Sequence, residues 1–77
     1  MNYCISYERR PTDQETTYLL LKYPILFGFL KSIKKGEWIS GRVVVGNVNK
    51  DFNLISTTSD ILEMVEMGIL EHNRYEN

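Results

Sequence analysis

The chain lacks the residues that usually cross-link a small domain through disulfides or a bound metal. Its 77 residues include one cysteine, Cys4, and one histidine, His72. Within a single chain these can form neither a disulfide nor a zinc site with the usual four ligands. A domain of this size buries only about 60–65% of the surface that its unfolded chain exposes. Tight packing or a partner subunit must therefore stabilise the core, and we predict a homo-oligomer.

Signals for catalysis and for membrane insertion are also lacking. The sequence has no glycine-rich phosphate-binding motif and no acidic calcium loop. Its most apolar stretch, residues 18–33, is interrupted by Lys22, Pro24 and Lys31 and falls short of the about 20 apolar residues that a membrane span needs. A net charge of −1 gives no general attraction for nucleic acid. We expect a soluble cytoplasmic protein that is not an enzyme, with no metal, no cofactor and no membrane partner.

The start of the chain predicts a strand and then a capping signal. Residues 3–8 alternate between apolar and polar side chains, which is typical of a half-buried strand. Pro11 ends this strand, because proline cannot donate to a β-ladder. Thr12 and Glu15 follow with the spacing of a capping box.

The next segment has mixed preferences, and after it comes the best helix candidate. Residues 16–23 combine leucines with β-branched and aromatic residues, and we favour a strand because Tyr23 precedes Pro24. A helix over about residues 24–35 then begins with Pro24 at its first position. Gly36 follows its last turn. The apolar stripe of this helix is Ile25, Leu26, Phe29, Leu30 and Ile33.

The second half of the chain indicates a sheet. Two apolar runs, residues 38–48 and 54–62, predict paired strands joined by a polar turn at residues 49–53. Residues 54–65 and 69–75 then form a second hairpin, with the latter as an edge strand. The alternative is a short helix that opens at Asp60 and ends at Gly68. We favour the hairpin, because eight residues is short for a helix.

These elements predict a single α+β domain over residues 1–77. Its antiparallel sheet has about four to five strands, and its one helix covers about residues 24–35. The candidate binding residues are of two kinds. One is a basic and aromatic surface, for which we favour the interpretation of a solvated helix end with snorkelling side chains: Arg9, Arg10, Lys31, Lys34, Lys35, Trp38 and Arg42. The other is an adaptable apolar surface beside the edge strand, and it contains Met64, Met67 and Tyr75.

The C-terminal third resembles a pattern of small uncharacterised phage-encoded proteins. Its Thr57-Thr58-Ser59 segment lies in a predicted strand, and a turn and a final strand ending in Asn73-Arg74-Tyr75 follow. The resemblance implies a small modulator or inhibitor of a host protein, in the host cytoplasm. We therefore expect a non-catalytic protein that binds a host defence or takeover target by protein–protein contact. The alternative is a nucleic-acid- or nucleotide-binding module that uses the basic and aromatic surface.

Overall fold

Four helices and a three-stranded antiparallel sheet form an α+β domain in the computed structural model, which describes residues 3–48 and 54–74. The predicted architecture, one helix with four to five strands, is therefore wrong. None of the described helices has the length and apolarity to cross a membrane. The order of elements is β1 (Tyr3–Tyr7), α1 (Asp13–Lys22), α2 (Pro24–Leu30), β2 (Ile39–Ser40), α3 (Gly41–Val48), α4 (Leu54–Glu66) and β3 (Leu70–Arg74).

The first strand is the centre of the sheet, whose order is β2-β1-β3. Ile5 is opposite Ile39 on one side and His72 on the other. The predicted strand is confirmed, but its half-burial is wrong because all five of its residues are buried. The predicted final strand is also confirmed, since β3 lies at an edge of the described sheet.

The capping box of α1 is present. The Thr12 hydroxyl accepts a hydrogen bond from the Glu15 backbone N–H at 3.2 Å, and Glu15 Oε1 accepts one from the Thr12 backbone N–H at 2.9 Å. Each side chain thus satisfies one backbone donor at the helix start. The strand favoured for residues 16–23 is wrong. Tyr23 does leave the α region before Pro24, at φ −130° and ψ 65°, but it ends a helix rather than a strand.

The second helix begins at Pro24, as predicted, but ends at Leu30 rather than near residue 35. Lys31 is its C-cap, so Lys34 and Lys35 lie in the turn that follows. The Glu37 backbone N–H closes this turn on the carbonyl of Lys34. Gly36 adopts φ +91° there, a left-handed conformation that favours glycine.

The strands predicted over residues 38–48 and 54–62 are wrong. Only Ile39–Ser40 is extended, and α3 and α4 occupy the rest of the described part. Buried residues follow a helical period in each: Gly41, Val44 and Val45 in α3, and Thr57, Thr58, Ile61 and Met64 in α4. The alternative helix ending near Gly68 is closer to the structure, although α4 starts at Leu54. The predicted turn at residues 49–53 lies outside the described residues.

A buried contact joins the sheet to α3 and α4. The hydroxyls of Tyr3 and Thr58 are hydrogen-bonded at 3.1 Å. The Tyr3 ring also lies directly against the backbone of Gly41, so close that a Cβ there would fall well inside contact distance. Glycine at position 41 therefore lets the start of α3 approach the central strand.

A Gly41→Ala substitution should lower the free energy of unfolding by about 1–3 kcal/mol, because it overpacks the site of the Tyr3 ring. Gly46→Ala is the matched control in the same helix, since a Cβ at Gly46 meets no side chain of the described residues beyond its two chain neighbours. That control should raise stability by up to about 1 kcal/mol. Urea unfolding followed by circular dichroism measures both changes, and similar effects of the two substitutions would contradict the close packing at Gly41.

Candidate functional site

Two aliphatic side chains face solvent on either side of the bend between α1 and α2. Leu21 is 80% exposed and Ile25 is 67% exposed. The inward face of α1 is set by Leu19, which is fully buried, with Leu20 and Tyr23 packed against the core. Leu21 lies off that face because residues of a helix are separated by about 100° each. Burial in the core therefore does not explain why a leucine stands at position 21.

A polar cluster of Tyr18, Lys22, Tyr23 and Glu63 lies at the same bend and joins α1 to α4. Lys22 Nζ donates to Glu63 Oε1 at 2.9 Å and to Tyr18 Oη at 3.0 Å. Tyr18 Oη donates to Glu63 Oε2 at 2.8 Å, and Tyr23 Oη donates to Glu63 Oε1. The ammonium of Lys22 also lies 5.4 Å from the centre of each tyrosine ring. We call these four residues the Glu63 cluster.

The two charged side chains of the Glu63 cluster are paired with each other. Hydrogen bonds from Tyr23, Lys22 and Tyr18 lower the pKa of Glu63 from 4.5 to about 2. The hydrogen bond with Tyr18, and after it the one with Glu63, raises the pKa of Lys22. Both groups are therefore ionised at neutral pH and neutralise each other. The four side chains are held in one arrangement, and none of them is left as an unpaired charge.

An open groove of about 240 Å³ runs beside the Glu63 cluster. Asp60 lies in it, and its pKa is raised by burial and then by repulsion from Glu63. Among residues 3–48 and 54–74, no three His, Cys, Asp or Glu side chains are close enough to hold a metal ion. The groove is lined by Lys22, Tyr23, Pro24, Ile25, Leu26, Val48, Thr57 and Asp60.

Arg9 has a structural role. Its Nη1 donates to Glu15 Oε1 at 2.7 Å and its Nη2 donates to Glu15 Oε2 at 2.8 Å. Nη2 also donates to the backbone carbonyl of Met67 at 3.1 Å. The guanidinium thus ties the end of β1 to the first turn of α1 and to the turn before β3. Its hydrogen bonds also lower the pKa of Glu15 to about 2.

The other predicted basic residues do not share one contact network. Arg10 and Lys31 line the same pocket, away from the groove. Lys34 and Lys35 are exposed in the turn after α2, and Arg42 is exposed at the start of α3. Because Arg9 is paired with Glu15, the structure brings together only one pair from the predicted basic surface.

The predicted apolar binding residues are also dispersed. Trp38, just before β2, is 43% exposed. Met64 is fully buried in the core, so its side chain offers no surface. Met67 is half-buried against that core, and Tyr75 lies outside the described residues.

Sequence reasoning missed the residues that line the bend. Tyr18 and Leu21 lie in the segment predicted as a strand over residues 16–23, and Glu63 lies in the predicted strand over residues 54–65. The signal that identifies them is the capping box at Thr12, because a helix starting there places Tyr18 and Lys22 one turn apart. The same helix turns Leu21 away from the buried face.

Comparison with known proteins adds no family to this geometry. No family model matches the chain, and no curated protein or solved structure matches it either. We therefore infer the function from the contacts at the bend.

A Glu63→Gln substitution should reduce the slope with which the free energy of unfolding falls as the pH is lowered. Glu63 and Glu15 both have pKa values of about 2 in the folded protein. As the pH falls from 4.5 towards 2, the unfolded chain binds protons first, and stability is lost in that window. The variant should lose the part of this dependence that comes from Glu63 and keep the part due to Glu15.

Urea unfolding at several pH values between 2 and 6 measures this slope. Glu66→Gln is the control, because it removes the same charge from an exposed position of α4 that has no ion pair among the described residues. A Glu63→Gln curve as steep as that of the unsubstituted protein would contradict the role of the cluster.

Proposed function

We propose that the chain is a non-catalytic protein-binding module whose docking face lies at the bend between α1 and α2. The observation that carries the proposal is the exposure of Leu21, at 80%, and Ile25, at 67%. Exposed single hydrophobic residues are common on soluble proteins. Here two of them flank a fixed polar cluster and an open groove, which is the setting of a binding surface.

The composition of this face supports binding to another protein. Interface centres are enriched in aromatic residues and depleted of unpaired charge. Tyr18 and Tyr23 supply aromatic surface, and the pairing of Lys22 with Glu63 removes the cost of burying either charge alone. The groove beside Ile25 is of a size to accept one side chain from a partner. The face is therefore suited to contact with a largely apolar protein surface.

The contacts also support binding over catalysis. A catalytic nucleophile or base needs a free position toward a substrate. In the Glu63 cluster, both oxygens of the carboxylate already accept hydrogen bonds and the ammonium is already bonded. The cluster fixes the shape of the face.

The wider role rests on the resemblance to small phage-encoded proteins, of which the structure has the turn and the final strand, whereas Thr57-Thr58-Ser59 lies in α4 and not in a strand. We propose that the partner is a host protein whose activity the module modulates or inhibits, in the host cytoplasm. A host surface with an exposed aliphatic or aromatic anchor would complement the groove. The predicted self-association is independent of this partner and is tested by light scattering.

A double substitution, Leu21→Ser with Ile25→Ser, should abolish partner binding and leave the fold unchanged. Both side chains are mostly exposed, so unfolding curves should shift little. Loss of two buried apolar anchors should weaken binding by about 100-fold or more. Affinity capture from a bacterial lysate, followed by mass spectrometry, compares the variants.

The control for this experiment is Val43→Ser, an exposed aliphatic residue on α3 that lies outside the groove lining. A protein retained by the unsubstituted chain and by this control, but not by the double variant, supports the proposal. Equal retention by all three would contradict it. Light scattering tests the predicted homo-oligomer against a monomer of 9.0 kDa.

A further inference from the structure

A second pocket lies where the end of β1, the first turn of α1 and the end of α2 meet. Its volume is about 260 Å³, and it shares no residue with the groove at the bend. Two of its residues carry positive charge and two carry a hydroxyl. Its lining is Tyr7, Arg10, Pro11, Thr16, Phe27 and Lys31.

Arg10 is held in place by the ring of Tyr7. The guanidinium carbon lies 4.6 Å from the ring centre. The ring is itself fixed, because it is buried and its hydroxyl donates to the carbonyl of Leu30 at 2.7 Å. A guanidinium has several N–H donors in one plane and can bind an oxyanion in bidentate fashion. Arg10 thus lies against a fixed ring at the wall of the pocket.

The positive charge of the pocket is not neutralised from within the described part of the protein. Neither Arg10 nor Lys31 has a carboxylate at ion-pair distance among residues 3–48 and 54–74. The nearby carboxylate of Glu15 is bound in bidentate fashion by Arg9. The Thr16 hydroxyl has no hydrogen-bond partner among those residues, so it adds a donor to the two cations.

A helix C-terminus disfavours an anion, but two carbonyls at the end of α2 already accept hydrogen bonds. The carbonyl of Leu30 accepts from Tyr7 and from the Ile33 backbone N–H. The carbonyl of Phe27 accepts from the backbone N–H of Lys31. The charge facing the pocket is therefore that of its two cations.

We propose that this pocket binds a small phosphate monoester. Arg10 would contact two phosphate oxygens, Lys31 would supply a point charge, and Thr16 would donate a third hydrogen bond. Pro11 and Phe27 provide an apolar wall, which favours an organic ester over bare phosphate. The volume lies below the about 300–1,000 Å³ typical of drug-sized ligands, so the organic group of the ester is small.

The test is a two-dimensional ¹H–¹⁵N NMR titration of the full chain at constant ionic strength, with phenyl phosphate, inorganic phosphate and phenol as probes. Phenyl phosphate should shift the backbone amides of Arg10, Thr16 and Lys31. Inorganic phosphate should shift the same amides at higher concentration, and phenol should not. Shifts that are spread over all exposed lysines, or absent at these three amides, would overturn the proposal.

Variants separate a formed site from general charge attraction. Lys31→Ala and Arg10→Lys should each weaken phenyl phosphate binding by about tenfold, because each loses charge-assisted hydrogen bonds. Lys35→Ala removes the same charge from an exposed position outside the pocket lining and should leave the affinity unchanged. Equal weakening by Lys31→Ala and Lys35→Ala would overturn the proposal. Arg10→Lys keeps the positive charge, so a loss of affinity for phenyl phosphate in this variant would identify the planar guanidinium as the binding group.

Discussion

The burial of β1 is the constraint on which the rest of the structure depends. This strand bonds to β2 on one edge and to β3 on the other, and all five of its residues are buried. With so short a sheet, helices must cover the central strand, and Tyr3 meets both Gly41 of α3 and Thr58 of α4. Arg9 then ties the end of the strand to α1 and to the turn before β3. Small changes beside β1 therefore affect several elements at once.

The two surfaces proposed for binding differ in how their cations are paired. At the bend, Lys22 is neutralised by Glu63 and leaves a face dominated by aliphatic and aromatic side chains. At the second pocket, Arg9 binds the nearby carboxylate and leaves Arg10 and Lys31 without one among the described residues. The first arrangement suits an apolar protein surface, and the second suits an anion. Ion pairing within the chain thus decides the chemistry of each surface.

Local signals in the sequence predicted some elements well. The capping box at Thr12 and Pro24 at a helix start appear in the structure, because each depends on neighbouring residues alone. The strand predicted from the alternation at residues 3–8 also appears, but it is buried on both faces. The valine-rich and threonine-rich segments were assigned to strands on the preferences of β-branched residues. In the structure they are α3 and α4. Their buried residues at a spacing of three and four show that burial of a helical face outweighs intrinsic preference.

The sequence by itself determined where β1 and the final strand lie, that a capping box starts at Thr12 and that a helix begins at Pro24, and it excluded an intramolecular disulfide. Only the tertiary structure decided which side chains meet. Glu63 reaches Tyr18 across 45 residues of chain, and Arg10 and Lys31 share a pocket across 21. The physical reason is that these contacts depend on how helices pack on the sheet. The burial of the whole core sets that packing, and no local sequence pattern predicts it.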